Sequence, residues 1–258
     1  MKIPILFFSL LLSCAASADI ISNLEAYYTF NNSLSVGTDS SGNSRDGIVA
    51  GTAAGAVDAE RGAVLALTGG ASGHIEVAIP MLPGSGFTLS TWVKSDSFAS
   101  NRGLFQVQNG GGTLSTMSKP IGGWVGSTGI PWGRVIESSN TAQNLPQAGP
   151  ALSSGVGATW HHLAYRGNGS TYEVFIDGSN AGTSSIAYDG TILTHSHLFI
   201  GRQANEAWNG VMDDFRVYSR ALSDSDIQQL ASGIPEPTSG TLVLFGMAVL
   251  VTLRRRPR

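Results

Sequence analysis

The sequence predicts an all-β domain, a sandwich of two antiparallel sheets with one short helix near its C-terminal end. The 258 residues include 33 Gly and 10 Pro, and only 13% are charged, so helix-favouring Lys and Glu are scarce. Short runs of β-branched and aromatic residues alternate with clusters of Gly, Asn, Ser and Asp, as they do in sandwiches. An apolar segment at each end falls outside this pattern and is interpreted as a targeting signal.

The first 18 residues are typical of a secretory signal peptide. Lys2 precedes an apolar run over residues 3–12, and Ala16-Ser17-Ala18 forms a small-residue cleavage site. The protein is therefore predicted to be exported. Cleavage after Ala18 would remove Cys14, the one cysteine, so stability would depend on the core rather than on a disulfide. The alternative is a lipoprotein signal, in which residues 11–14 resemble a lipobox and Cys14 is acylated.

Eight strands are expected in the domain, at residues 24–30, 74–79, 87–94, 104–108, 160–165, 172–176, 198–200 and 211–218. Asn168-Gly169 and Asp177-Gly178 separate consecutive strands, and both dipeptides accept the positive φ angles of tight hairpins. Three consecutive strands are thus predicted to form a meander. Long loops and short strands are expected between residues 109 and 154.

One helix follows the last strand. Ser223 and Asp226 have the spacing of a capping box, with Asp in place of the usual Glu. Ile227 and Leu230 supply an apolar stripe, and Gly233 supplies the stop. This helix is predicted to close the domain.

The last 25 residues combine three features in order: Pro235, Glu236 and Pro237, then an apolar segment over 240–253, then Arg254, Arg255 and Arg256 near the end. A core helix is one alternative, since the stretch is shorter than the roughly 20 residues that span a bilayer. A terminal arginine cluster instead favours a membrane segment with its arginines in the cytoplasm. The tail resembles the PEP-CTERM sorting signal, and that resemblance implies a membrane-bound stage and processing by an exosortase-type enzyme. The expected location is the cell surface or the extracellular space.

The charge of the domain excludes a nucleic-acid ligand. Lys2 and the four terminal arginines account for 5 of the 15 basic residues, and Glu236 for 1 of the 18 acidic ones. The remainder has 10 basic against 17 acidic residues, a net charge of about −7. A phosphate-binding surface would need a basic stripe, which this balance does not provide.

Residues 19–233 resemble a LamG-like, concanavalin A-like jelly-roll domain. The resemblance is carried by the segments 87–94 (FTLSTWVK), 160–165 (WHHLAY), 174–178 (VFIDG), 198–201 (LFIG) and 209–222 (NGVMDDFRVYSRAL). It covers about residues 24–231 and implies two stacked antiparallel sheets. The functions that it implies are binding of carbohydrate or of protein ligands outside the cell, without catalysis.

A calcium site is expected at Asp39, Asn43 and Asp213. Alternation puts Asp213 on the same strand face as Phe215, and a carboxylate buried there needs a partner. Residues 38–47 offer the oxygen ligands that Ca²⁺ prefers, and the family resemblance implies a structural calcium between such a loop and the closing-strand aspartate. In the alternative, Asp39 and Asn43 form Asx turns and Asp213 pairs with an arginine such as Arg45.

Five tryptophans divide into two groups. Trp92 and Trp160 are expected to anchor the core on inward strand faces. Trp124, Trp132 and Trp208 lie in Gly-rich surroundings, where they could stack on sugar rings, and Trp132 and Trp208 are the predicted ligand-binding residues. The alternative is that these loop tryptophans only cover a sheet edge.

No catalytic residues are predicted. Paired carboxylates on alternate positions of one strand, as in glycoside hydrolysis, do not occur, and Asp213-Asp214 would lie on opposite faces. The predicted function is non-catalytic binding in adhesion or an extracellular matrix. A structural biofilm component without a specific ligand and a polysaccharide hydrolase are the alternatives.

Overall fold

The computed structural model describes residues 20–70, 73–79, 82, 85–108, 121–136, 142–185 and 197–233. In chain order the strands are β1 (Leu24–Tyr28), β2 (Ile48–Ala50), β3 (Ala54–Asp58), β4 (Gly62–Thr68), β5 (His74–Ala78), β6 (Phe87–Ser95), β7 (Arg102–Gln108), β8 (Ile121–Val125), β9 (Pro131–Ile136), β10 (Ala142–Asn144), β11 (His161–Gly167), β12 (Thr171–Ile176), β13 (Ser179–Ser185), β14 (His197–Ile200), β15 (Arg202–Gln203), β16 (Glu206–Ala207) and β17 (Asn209–Tyr218).

These strands form two antiparallel sheets and one hairpin. The first sheet has the order β13-β12-β11-β6-β17-β4-β3, with β1 also paired to β17. The second has the order β10-β9-β8-β7-β14-β5-β2, and β15 pairs only with β16. The inner faces of the two sheets meet in the core, where the Phe105 ring of the second sheet lies 5.1 Å from Tyr165 and 6.3 Å from Phe215 of the first. The predicted antiparallel sandwich is confirmed.

All eight predicted strands occur within two residues of their expected bounds. Strand β4 was not predicted, because its sequence GAVLALT is rich in Ala and Leu, which favour strands weakly. Its place beside β17 is set by long-range pairing. Within the expected loop region, β8, β9 and β10 extend the second sheet.

The predicted meander is also present, because β11, β12 and β13 are consecutive neighbours. The turn between β12 and β13 has φ of 49° at Asp177 and 81° at Gly178, the left-handed values that a tight hairpin turn of this kind needs. The turn before it places Gly169 at φ 90°.

Helix α1 (Asp224–Ala231) begins with the predicted capping box. The Ser223 hydroxyl accepts a bond from the Asp226 N–H, and the Asp226 carboxylate accepts one from the Ser223 N–H. Ile227 and Leu230 pack in a second apolar cluster on the outer face of the first sheet, beside Phe175. The helix therefore covers part of that face, as closure of the domain requires.

The predicted targeting segments lie outside the described residues. The signal peptide over 1–18, the Pro-Glu-Pro motif, the apolar stretch over 240–253 and the arginine cluster all stay predictions from sequence. Within the described ranges, no helix has the length and apolar character needed to cross a membrane.

Candidate functional site

Asp39 organises its own loop. Its Oδ1 accepts bonds from the backbone N–H groups of Tyr27 and Ser41, each at 2.9 Å, and its Oδ2 accepts one from the Arg45 N–H at 3.0 Å. Burial opposes ionisation of this carboxyl, but the backbone bonds outweigh it and hold the pKa of Asp39 below its usual value. Both oxygens of Asp39 are thus occupied within the protein.

Asn43 has a similar structural role. Its Nδ2 donates to the carbonyl oxygens of Leu24 at 2.8 Å and Glu25 at 3.0 Å, which fastens the loop to β1. The bond from the Ser41 N–H to Asp39 is that of an Asx turn. These contacts agree with the alternative of loop-forming residues.

Asp213 lies on a β-bulge, and the bulge corrects the expected strand face. The pairing of β17 with β6 slips between Asp213 and Arg216, and Asp214 adopts φ 51°. Phe215, which follows the bulge, is in the core. Asp213 is opposite Trp92 in the strand pairing and its side chain is not part of the core. Simple alternation fails here because a bulge adds a residue to one strand.

Arg61 bridges the two carboxylates at the bulge. Its Nε lies 2.6 Å from Asp213 Oδ2 and its Nη2 lies 2.7 Å from Asp214 Oδ2. Burial and repulsion from Asp214 raise the pKa of Asp213 to about 6, although the Arg61 bond acts in the opposite direction. The partner arginine is therefore Arg61 and not Arg45.

Trp92 and Trp160 surround this arginine. The Arg61 guanidinium carbon is 4.5 Å from the Trp92 ring centre and 5.4 Å from the Trp160 ring centre, within the range of cation–π contacts. Both rings are half-buried. The expectation that they anchor the core is wrong, because β6 directs Leu89 and Val93 inward and the alternate Trp92 outward.

As arranged, Asp39, Asn43 and Asp213 do not fit a shared cation. The first two bond to β1 and their own loop, and the third is paired to Arg61. Across the described parts of the chain, no group of three or more His, Cys, Asp and Glu side chains could hold a metal ion. Calcium stays a prediction that these contacts do not support.

Trp208 is a core residue, which corrects its prediction as a ligand-binding residue. Its side chain is 0% exposed, packs edge-on against Phe98, and donates from Nε1 to the Val211 carbonyl at 3.2 Å. A sugar ring cannot reach it. The prediction relied on Gly-rich surroundings as a sign of an exposed loop. Trp208 instead directly precedes the long strand β17 and packs in the core.

Trp132 forms a stacked pair with Trp124 on the outer face of the second sheet. The two residues are direct cross-strand partners on β9 and β8, with ring centres 4.5 Å apart and planes 8° apart. A Cβ on Gly123 would lie 2.4 Å from the Phe105 ring, so Gly123 faces the core and its neighbour Trp124 faces outward. Trp124 is buried, and Trp132 is half-buried.

Opposite charges flank the pair. The Arg134 guanidinium carbon lies 5.5 Å from both ring centres. The Trp124 Nε1 donates to Glu206 Oε2 at 2.6 Å, and Asn101 donates to the other oxygen of Glu206 at 3.3 Å. Among the described residues, the buried Nε1 of Trp132 has no hydrogen-bond partner.

A cavity of about 310 Å³ opens beside these rings. It is lined by Asn101, Trp124, Trp132, Arg134, Gln203, Ala204, Asn205 and Glu206. The hairpin of β15 and β16 forms one wall, and its turn residue Ala204 has φ 47°, an unfavourable value for Ala. A larger cavity of about 440 Å³ beside residues 33–38 is lined without an aromatic side chain. The smaller cavity is thus the better candidate site.

Part of this site was predictable from the sequence. Trp132 and Arg134 are two residues apart on one strand, so alternation alone could have placed them on one face. Glu206 bonds to Trp124 across 82 positions of sequence. A local pattern has no information about such a partner.

The chain belongs to the concanavalin A-like lectin/glucanases superfamily, whose family model matches residues 68–228. The expected LamG-like jelly roll agrees with this match. A search of curated proteins finds no match.

Three solved structures share the fold at low sequence identity. The binding domain of Paraclostridial Mosquitocidal Protein 1 has a TM-score of 0.62 at 15% identity, covering 82% of this chain and 52% of that one. The botulinum neurotoxin serotype D ligand binding domain, in complex with N-acetylneuraminic acid, has a TM-score of 0.63 at 15% identity and covers 85% and 53%. This chain thus spans about half the length of the toxin domains.

The third is Domain 4 of AbnA, an extracellular GH43 arabinanase from Geobacillus stearothermophilus, in complex with arabinotriose. It has a TM-score of 0.58 at 22% identity, and covers 81% of this chain and 98% of that one. At these identities the similarity establishes the fold.

Proposed function

We propose that this chain is an exported, non-catalytic binding protein whose ligand is carbohydrate, held in the cavity beside Trp124 and Trp132. The observation that supports this most is the half-buried indole of Trp132, stacked at 4.5 Å on a second indole. An indole presents a broad apolar face with little conformational entropy to lose. The buried Trp124 behind it holds that face in place.

The polar groups around the indole suit a polyhydroxylated ring. Glu206 accepts hydrogen bonds, Arg134 donates them, and Asn101, Gln203 and Asn205 contribute amides that do both. A mostly pre-formed pocket with a few convergent polar groups is the usual form of a small-molecule site. Two proteins of similar fold were solved with a saccharide, arabinotriose in one and N-acetylneuraminic acid in the other.

The test is a glycan array probed with the full chain, followed by calorimetry on each saccharide that binds. Trp132→Ala is expected to weaken binding by about ten-fold or more, because truncating an anchoring Trp commonly costs about 2 kcal/mol. Trp160→Ala is the matched control, a half-buried tryptophan on the other sheet, and its affinity should equal that of the parent. Binding that survives Trp132→Ala would exclude this pocket.

A protein-binding role and a structural role are the alternatives. The ligand could be an extracellular protein, in which case the array would be silent while a surface partner is captured. A structural matrix component without a specific ligand would also give a silent array. Cross-linking on intact cells distinguishes the two alternatives, because it yields a discrete partner only if the ligand is an extracellular protein.

A hydrolase is less well supported. Glu206 is the one carboxylate among the residues that line the cavity, whereas glycoside hydrolysis commonly uses a pair. Asp213 and Asp214 are both held by Arg61 instead. Saccharide cleavage abolished by Glu206→Gln would reverse this conclusion.

The proposal includes the sorting route. Export by the N-terminal signal, a membrane-bound stage through residues 240–253 and exosortase-type processing near Pro235 would bring the binding domain to the cell surface. The sequence motifs at the two ends support this route.

A further inference from the structure

Resting on the proposed saccharide site, we propose that the pocket selects saccharides that carry a carboxylate, and that Arg134 binds that carboxylate. Uronic and sialic acid residues share this chemistry. The ring of the acidic sugar would stack on Trp132 while its carboxylate reaches the guanidinium beside it.

Arg134 differs from most arginines of the domain in having no carboxylate partner among the described residues. Five others form ion pairs with Asp or Glu: Arg45, Arg61, Arg166, Arg216 and Arg220. Arg134 instead donates from Nε to the Asn144 side-chain oxygen at 2.8 Å. Its full positive charge is thus available at the cavity.

The guanidinium is also held in place. The Asn144 bond fixes its Nε side, and its guanidinium carbon lies 5.5 Å from the centre of each indole ring. The terminal nitrogens have no partner within the described structure. A planar guanidinium with free terminal donors matches a carboxylate in two parallel bonds.

Glu206 is the opposing charge in the cavity and must be considered. Its oxygens already accept bonds from Trp124 and Asn101, and it forms no ion pair with Arg134 in the described structure. These bonds occupy both oxygens of Glu206, and Arg134 has no carboxylate partner among the described residues. The cavity therefore has a cationic end at Arg134 and an accepting end at Glu206, which suits an acid group and hydroxyls on one ring.

The net charge of the domain argues that such selection must be local. With 10 basic against 17 acidic residues, the domain repels polyanions at long range. A carboxylated saccharide would therefore bind through a defined contact. Dextran sulfate, a sulfated polyanion without carboxylates, is a control for charge attraction alone.

The test compares matched acidic and neutral saccharides on the full chain by calorimetry at two salt concentrations. The pairs are trigalacturonate against galactotriose and 3′-sialyllactose against lactose. In at least one pair, the acidic member is expected to bind about ten-fold tighter or more, since a hydrogen bond to a charged group contributes about 1.5–3 kcal/mol. Arg134→Gln should weaken binding of the acidic member about ten-fold more than binding of the neutral member, which removes the preference, and Arg134→Lys should restore only part of it.

Each result has a distinct meaning. Equal affinities within both pairs, lost in Trp132→Ala, would overturn carboxylate selection and leave the saccharide site standing. A preference that persists in Arg134→Gln, or dextran sulfate binding as tight as that of the acidic saccharide, would also overturn the selection. No binding of any of these saccharides, together with a silent array, would refute the proposed function itself.

Discussion

Most charged side chains that the structure describes already have partners. Asp39 is bonded to three backbone N–H groups, and Asp213 is bonded to Arg61. By contrast, Arg134 and the half-buried Trp132 keep unused binding capacity beside one cavity. At the scale of residues, therefore, the candidate site is defined by the groups that the fold leaves unpaired.

His162 is the clearest residue for a test of stability. Its ring is 0% exposed, and within the described structure neither ring nitrogen has a hydrogen-bond partner. Burial, and secondarily the charge of Arg216, lowers the pKa of His162 from 6.5 to about 3. Below pH 6.5 the unfolded chain thus binds a proton that the folded protein does not, so this group makes stability fall as pH falls.

His162→Leu should remove that pH dependence. Relative to the parent, the free energy of unfolding of the variant should rise by about 2 kcal/mol between pH 7.5 and pH 5, at roughly 1.36 kcal/mol for each pH unit below 6.5. Urea denaturation at four pH values measures the difference. For Val156→Ala, at an exposed site, the free energy of unfolding should change with pH as it does in the parent. A constant difference between His162→Leu and the parent at all four pH values would disprove the assignment.

At the scale of elements, alternation along a strand explains most positions and a bulge explains the exception. β9 directs Trp132 and Arg134 to one face because they are two residues apart. β17 breaks the rule at Asp213, where the bulge changes the face that follows. The sheets also depend on tight turns such as that of the β12–β13 hairpin.

Gly178→Ala tests that hairpin. Gly178 has φ 81° and an added Cβ would lie 3.0 Å from the Gln228 backbone. The substitution should lower the free energy of unfolding by about 1–2 kcal/mol, the cost of a left-handed conformation for a residue with a Cβ. Gly70→Ala is the control, since its Cβ would meet nothing closer than 3.8 Å. Equal midpoints of thermal unfolding for the two variants would contradict the argument.

At the scale of the whole molecule, the sandwich assembles the site from distant parts of the chain. β8 and β9 supply the indole pair, and the β15–β16 hairpin supplies Glu206. The opposite sheet carries helix α1, after which the chain continues toward the predicted sorting segment. A binding domain joined directly to a sorting signal is consistent with display outside the cell.

The sorting proposal predicts a processed C-terminus. Intact mass spectrometry of the surface-exposed protein should give a chain that ends near Pro235 to Pro237, without the arginine cluster, because the signal is proposed to be cleaved there. Joint replacement of Pro235 and Pro237 by Ala should leave full-length protein in the membrane fraction. Pro150→Ala, an exposed proline of the domain, should be processed normally. A full-length surface form of the unaltered protein would refute cleavage.

The sequence by itself determined the sandwich class, eight strands, the meander, and the capped helix. Each depends on local signals, namely two-residue alternation, turn dipeptides and cap spacing, which act over a few positions. Trp132 was predicted as a ligand-binding residue because of its Gly-rich surroundings, and that role stays a prediction. The two segments at the ends remain predictions of the sequence alone.

Only the tertiary structure decided which predicted residues can act together. In the folded protein Trp208 is buried, Asp213 accepts a hydrogen bond from Arg61, 152 positions away in the sequence, and Glu206 accepts one from Trp124, 82 positions away. Such pairings depend on strand register and on a bulge, which change the face or partner of a side chain without a local mark in the sequence. The elements were therefore predictable, whereas the cavity formed between them was not.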